Sequence, residues 1–244
     1  FMAFVQQGVT LELHPSYTLV AGAAYRHEHL DENLAVANYD YHMPGAYAQG
    51  EWRITDWLEF VHGFRYDYHN VFGSIFTPRV ALKVVPLEIL TLRGVFGTGF
   101  RAPTTFYEYA HGVRAEGYKF VMDTDDPERS MSVNLSATLD LGRKFSATLE
   151  GAFNQISVPI SWETTEDGHI RVFNVGKKLR VIGAELQVQS QPLRWLNVSA
   201  GAAFSSAATA SAMSMTRLMR YPAMRAMTMD VRTVMAAPIS SHSS

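Results

Sequence analysis

The chain has 244 residues, 47% of them hydrophobic, and a formal net charge of -2 at pH 7. This near-neutral balance, without a dense run of lysine or arginine, argues against a role in binding duplex nucleic acid. The absence of cysteine excludes thiol catalysis, a disulfide framework and cysteine-ligated zinc.

No stretch of the sequence approaches the ~18 consecutive apolar residues of a transmembrane helix. That criterion does not address barrels that cross with strands, because their apolar residues occupy only alternate positions. The first residues, FMAFVQQGVTLEL, lack the charged segment, apolar core and small-residue cleavage site of a signal peptide. We therefore expect any export signal to lie outside this sequence.

Apolar and polar residues alternate along most of the chain, which predicts strands with one apolar and one polar face. The pattern is clearest in SVNLSATLDL, residues 132–141, where Val133, Leu135 and Leu139 share one face. Most predicted strands reach the ~9–11 residues that a tilted strand needs to cross a bilayer. In chain order they lie near 1–13, 16–29, 44–54, 58–70, 78–86, 89–101, 129–140, 143–157, 169–190 and 195–206.

Short and long connections alternate strictly between these strands. Outer-membrane barrels show this parity, because their periplasmic turns are short and their external loops long. A Greek-key sandwich gives no reason for it, so the sequence favours an all-β, antiparallel, up-and-down transmembrane barrel over a soluble β-sandwich. Short turns are predicted near 14–16, 55–57, 86–88, 140–143 and 191–194, and longer loops near 30–43, 71–77, 102–128 and 158–168.

One long segment carries a family resemblance. Residues 45–104 contain, in order, YAQGEW, a TD turn, GFRYD, TPR and GTGFRAP. With PERSMSVNL at 127–135 and the stretch 173–201, this order resembles the barrel of TonB-dependent outer-membrane receptors. The motif residues that we expect to be structural are Gly97, Gly99, Phe100, Arg101, Ala102, Pro103, Gly183 and Glu185.

The GTGFRAP motif has a physical interpretation as the end of a strand. Glycines let another group approach the backbone closely, and Pro103 ends pairing because it has no N–H to donate. Arg101 falls on the polar face, where water or a carboxylate can accept its hydrogen bonds. We interpret the motif as architecture rather than as a ligand contact.

The resemblance implies a barrel of 22 strands with a plug in its lumen, located in the outer membrane of a Gram-negative bacterium. Such receptors bind a scarce nutrient, such as an iron chelate, haem or cobalamin, and import it with energy delivered through the TonB complex to an N-terminal segment. We expect this chain to supply about ten strands over 1–205, without the plug or that segment. A passive channel of ten strands remains the alternative.

The segment 206–244 departs from the strand pattern. It holds seven of the eleven methionines and shows no clean alternation. We interpret it as a separate tail, either disordered or translated from a shifted reading frame, and barrel-like sequence in a neighbouring frame of the gene would support the latter. A methionine-rich copper-binding tail is a further hypothesis, since thioethers suit Cu(I).

By loop parity, the segments 27–43 and 102–128 are expected on the external side and supply the candidate ligand contacts. His111 resembles a loop histidine that follows the FRAP stretch in haem-importing members, although DDPE at 125–128 departs from their later motif. The candidates are His27, His29, His42, Met43, Tyr107, Glu108, Tyr109 and His111.

His27 and His29 stand two residues apart, which on a strand puts both on one face and suits a metal ion. The sequence identifies no third ligand. No GxSxG, HExxH or phosphate-binding loop is present, so we expect no enzymatic activity and no cofactor.

Overall fold

The computed structural model describes residues 1–31, 38–103, 120–210 and 226–235. No helix within these ranges is long and apolar enough to cross a membrane. Eleven of the described strands form one sheet, each antiparallel to its neighbours, and three form a second, smaller sheet.

The main sheet follows chain order. Its strands are β1 (Met2–His14), β2 (Tyr17–Leu30), β3 (Tyr39–Thr55), β4 (Leu58–His69), β5 (Gly73–Leu87), β6 (Leu90–Arg101), β8 (Glu128–Asp140), β9 (Ser146–Ser157), β12 (Lys178–Leu193), β13 (Leu196–Ala210) and β14 (Ala226–Met235). The small sheet contains β7 (Phe120–Asp123), β10 (Ile160–Thr164) and β11 (Ile170–Asn174). The prediction of an antiparallel up-and-down sheet of long strands is confirmed.

The strand register gives the main sheet one polar face and one apolar face. Because side chains alternate along a strand, residues paired across strands share a face. One row of the polar face runs through Arg93, Ser136, Glu150 and Glu185, and the adjacent row of the apolar face runs through Leu92, Ala137, Leu149, Leu186 and Ala202.

The apolar face carries large exposed side chains in the part of the chain that the structure describes. Leu135 is 61% exposed, Leu149 56% and Ile182 55%. A β-sandwich would bury such residues against a second sheet about 10 Å away. The exposed apolar face is instead that of a barrel wall facing lipid, and β1 and β14 leave the wall open at its two edges.

The short connections match their predicted positions, and four of the five hairpins that they close contain a bulge or irregularity. The register shifts lie near His14, Thr55, Leu87 and Leu193. The predicted longer loops are shorter than expected in two places. β2 extends to Leu30 and β3 begins at Tyr39, and β5 begins at Gly73, which leaves 70–72 between it and β4.

The predicted strand 169–190 is wrong as one element, because the chain divides it between the two sheets. Residues 170–174 form β11, which pairs in parallel with β7, whereas β12 starts at Lys178 in the main sheet. Arg171 ties the small sheet together: its Nε lies 2.9 Å from Asp123 Oδ2, and its Nη1 lies 3.3 Å from Glu163 Oε1. The hydrogen bond to Asp123 raises the pKa of Arg171.

β5 and β6 are not paired with each other over their ends on the long-loop side of the sheet. β5 pairs with β6 only between Arg79, opposite Gly97, and Leu87, opposite Leu90, at the short-turn end. Above that point β5 stays paired with β4 through Pro78, and β6 stays paired with β8. Pro78 explains the limit, because it has no N–H to donate to a neighbouring strand.

β13 extends to Ala210 and pairs with β14 from Leu196, opposite Met235, to Ser205, opposite Ala226. Both strands therefore enter the segment 206–244. The division of the chain at residue 205 and the origin of the tail stay predictions.

Candidate ligand-facing wall

The polar face of β1 to β6 encloses a cavity at its long-loop end. Its volume is about 990 Å³. It lies beside the parting of β5 and β6, since Thr77 and Gly99 line it from the two sides of that gap. Its functional side chains include Arg26, Glu28, Tyr39, Tyr41, Arg65 and Arg101.

Arg65 and Asp67, from the GFRYD motif, form the most buried ion pair of this wall. Arg65 Nε lies 2.7 Å from Asp67 Oδ2, and its Nη2 lies 2.7 Å from Oδ1, while the Asp67 side chain has 0% exposure. Two-pronged pairing of this kind fixes the guanidinium plane. Gly45 makes room for it, because a Cβ there would overlap Asp67 Oδ1.

Tyr39 and Tyr41 stand two residues apart on β3 and stack with ring centroids 4.6 Å apart. Tyr41 also contacts the His69 ring edge-on and donates a hydrogen bond of 3.0 Å to the carbonyl of Pro103. The end of the FRAP motif is thus held by a tyrosine from the other side of the gap. The two rings offer an aromatic surface to the cavity.

Arg101 lies on the polar face, as predicted, and its carboxylate partner is Glu128. Arg101 Nε lies 2.6 Å from Glu128 Oε2, and the two residues are directly opposite in register. The second Glu128 oxygen accepts a 2.6 Å hydrogen bond from the backbone N–H of Ile160. This contact connects the wall to the first residue of β10.

The motif glycines Gly97 and Gly99 differ in how closely other atoms approach them on the polar face. A Cβ at Gly97 would lie 3.8 Å from Arg79 Cγ, and one at Gly99 would lie 2.9 Å from Ser130 Oγ. A side chain at Gly99 would therefore displace the serine.

Glu185 accepts a 2.6 Å hydrogen bond from Gln187 and stands opposite Glu150.

Of the predicted histidines, His29 lines the cavity, whereas His27 and His42 do not. His27, His29 and His42 lie on the apolar face at the long-loop end of β2 and β3, where Asp40 joins them. His27 Nε2 lies 2.6 Å from Asp40 Oδ1, and His42 Nε2 lies 3.3 Å from Asp40 Oδ2. His29 Nδ1 is farther away, 3.5 Å from Asp40 Oδ1. The structure thus joins His27 to His42 and Asp40 as a group able to hold a metal ion.

The remaining candidates are placed as follows. Met43 is buried at 8% exposure on the polar face and lines the cavity, and both it and His42 belong to β3 rather than to a loop. Tyr107, Glu108, Tyr109 and His111 lie outside the residues that the structure describes.

Sequence analysis did not single out Asp40, Glu128 or Tyr41 as partners in these contacts. Alternation along one strand assigns each residue a face, but the cross-strand partner depends on register. Asp40 and Tyr41 belong to β3, which begins at Tyr39, whereas the predicted strand began near residue 44. Arg65 and Asp67 were recognised as motif residues, and their i, i+2 spacing was the available signal for a shared face.

Comparison with protein families shows a match over residues 4–224 to the model described as TonB dependent receptor-like, beta-barrel. Comparison with curated proteins found no match.

Solved structures similar to this chain include a siderophore receptor, an iron transporter and a copper transporter. The siderophore receptor PirA from Pseudomonas aeruginosa gives a TM-score of 0.67 at 16% identity, covering 84% of this chain and 42% of PirA. The F5-1 variant of the FrpB iron transporter from Neisseria meningitidis gives 0.68 at 16% identity, covering 85% and 36%. The copper transporter OprC gives 0.60 at 14% identity, covering 84% and 37%. The chain therefore spans less than half of each.

Proposed function

The chain belongs to the family of TonB-dependent receptor β-barrels, and from that premise we propose that it forms part of the wall of a nutrient importer. In this proposal the polar face lines the lumen, and the apolar face contacts the lipid of the Gram-negative outer membrane. The proposed receptor takes energy from the TonB complex through an N-terminal segment. The proposal includes no enzymatic step.

The observation that carries the proposal is the cavity on the polar face. Two arginines that line the cavity are paired with carboxylates, Arg65 with Asp67 and Arg26 with Glu28. The net charge of the cavity therefore gives little selectivity between ligands. The stacked pair Tyr39 and Tyr41 instead supplies a broad aromatic surface. Aromatic faces bind planar groups by stacking, and the nearby guanidinium groups favour ligands that also carry acceptor oxygens.

We propose a bulky iron chelate with aromatic groups as the imported ligand. PirA is a siderophore receptor and FrpB is an iron transporter, and both support an iron compound as the ligand. Haem and cobalamin are the other candidates, and both also present a large planar ring. Passive diffusion through an open channel is the competing mechanism.

The test uses the full-length protein that carries this chain, produced in a Gram-negative host deprived of its own iron receptors. Growth is measured with defined aromatic chelates, aliphatic chelates or haem as the iron source, and cobalamin uptake is measured separately. We expect growth on an aromatic chelate, dependent on an intact TonB complex. Growth that persists without TonB would overturn energy-coupled import and favour a passive channel.

Tyr39→Ala tests the wall itself. We expect a loss of at least tenfold in affinity for the imported chelate, because stacking on the pair is removed. Tyr66→Ala is the matched control, since Tyr66 lies on the apolar face and is 44% exposed. Both variants are compared at equal amounts in the outer membrane, and equal affinities would contradict the role of Tyr39.

A further inference from the structure

The ends of β2 and β3 carry a side-chain cluster that the proposed importer does not use. It consists of His27, Asp40 and His42 on the apolar face, and none of the three lines the cavity on the polar face. His27 is directly opposite His42. Asp40 lies two residues before His42 on the same face of β3, directly opposite His29. The register alone therefore brings these ligand types together.

The geometry is already close to that of a bound ion. One ligand atom from each of the three residues lies within 4.8 Å of the other two. Ligand atoms around a tetrahedral zinc ion are about 3.4 Å apart, given metal–ligand distances near 2.1 Å. The His27 and His42 rings stack with centroids 4.2 Å apart, and binding of an ion would draw their ligand atoms closer together.

Two neighbouring residues hold the cluster in position. Tyr25 Oη lies 2.7 Å from His42 Nδ1, so the tyrosine oxygen can accept a hydrogen bond from Nδ1–H, which leaves the lone pair of Nε2 available to a metal. Asn70 fixes the backbone of β3, because it donates to the carbonyl of Asp40 and accepts from the N–H of His42, at 2.9 and 3.0 Å. The site is thus organised by contacts outside it.

We propose that His27, Asp40 and His42 bind one divalent transition-metal ion on the outward side of the barrel wall. Two imidazoles and a carboxylate suit Zn²⁺ and similar ions, whereas Ca²⁺ and Mg²⁺ prefer ligand sets made of oxygen alone. The ligands are solvent-accessible, with Asp40 53% and His42 40% exposed, so a water molecule can complete the coordination.

The position of the site determines what the ion does. Its ligands face away from the cavity, so the ion is not imported cargo. It links the last residues of β2 to the first residues of β3. A bound ion stabilises the folded state according to its concentration and affinity, and so holds these strand ends together.

The experiment measures Zn²⁺ binding to the full-length protein in detergent by isothermal titration calorimetry. The test variant is His27→Gln/His42→Gln, and the matched control is His14→Gln/His169→Gln, which replaces two histidines elsewhere. We expect the test variant to lose one equivalent of Zn²⁺ and the control to keep it. Circular dichroism without zinc establishes that each variant is folded.

Tyr25→Phe keeps all three ligands and removes the hydroxyl that orients His42. We expect Zn²⁺ affinity at this site to fall about tenfold or more with the stoichiometry unchanged. Equal zinc stoichiometry and affinity in the wild type and in His27→Gln/His42→Gln would overturn the proposal. So would a wild type that binds no zinc, or a control that loses the same equivalent. Nutrient uptake is expected to be unchanged in the test variant, so this result is separate from that of the importer proposal.

Discussion

Glu128 joins two separate parts of the protein through a single carboxylate. One of its oxygens lies 2.6 Å from Arg101 Nε across β6 and β8, and the other accepts the N–H of Ile160 at 2.6 Å. Only 13% of the Glu128 side chain is exposed, compared with 48% for Arg101. The carboxylate therefore fixes the end of the FRAP strand and the start of the small sheet at once.

We predict that Glu128→Ala lowers the free energy of unfolding by about 2 kcal/mol, because hydrogen bonds to charged groups contribute ~1.5–3 kcal/mol and the N–H of Ile160 loses its partner. Urea unfolding of the full-length protein in micelles measures the change. Glu88→Ala, in the exposed turn between β5 and β6, is the control and should change stability by no more than about 0.5 kcal/mol. Equal effects of the two substitutions would contradict the role of Glu128.

Gly45→Ala should cost about 2 kcal/mol, because the added methyl group overlaps the buried carboxylate of Asp67 and displaces it from Arg65. Gly151→Ala provides the matched control, since a Cβ at Gly151 meets nothing within 4 Å. Chemical unfolding of both variants checks the difference. A neutral Gly45→Ala would mean that Asp67 can move without loss.

Two single substitutions in β8, each introducing an arginine on a different face of the sheet, test which face contacts lipid. Leu135→Arg puts a guanidinium on the apolar face, where we expect a cost of about 2–4 kcal/mol in a bilayer. Asn134→Arg puts it on the polar face, where it stays in water and should cost less than about 1 kcal/mol. Unfolding from phospholipid vesicles measures both values, and a reversed order would contradict a lipid-facing apolar side.

Arg171→Ala should loosen the small sheet without affecting the main one. Arg171 contacts acids on both of its neighbouring strands, Asp123 and Glu163, and these charges keep its pKa raised and the residue protonated across the neutral range. Hydrogen exchange is expected to become faster in residues 170–174 and to stay unchanged in β8 and β9. Faster exchange in the main sheet as well would show that the two sheets open together.

Much of the wall could be predicted from alternation alone. Arg101 was assigned to the polar face from its parity, and the structure places it there beside a carboxylate. Leu135 and Leu139 were assigned to one apolar face for the same reason. Such predictions succeed because a strand that separates lipid from water must keep its period of two along its whole length.

Alternation along each strand did not predict the contacts between strands. His29 was a natural partner for His27 along β2, but the structure brings His42 and Asp40 closer through the register of β3. The split of 169–190 was missed because a strand of five residues carries too little alternation to show where one sheet ends and another begins. Its pairing in parallel with β7 joins segments far apart in sequence, which local patterns do not encode.

The parallel ladder between β7 and β11 has a mechanical consequence. The two strands belong to different excursions of the chain, one leaving the wall after Arg101 and the other after Ser157. A pull on either strand is transmitted to the other through the shared ladder and through the contact of Arg171 with Asp123. β7 and β11 should therefore move as a single body.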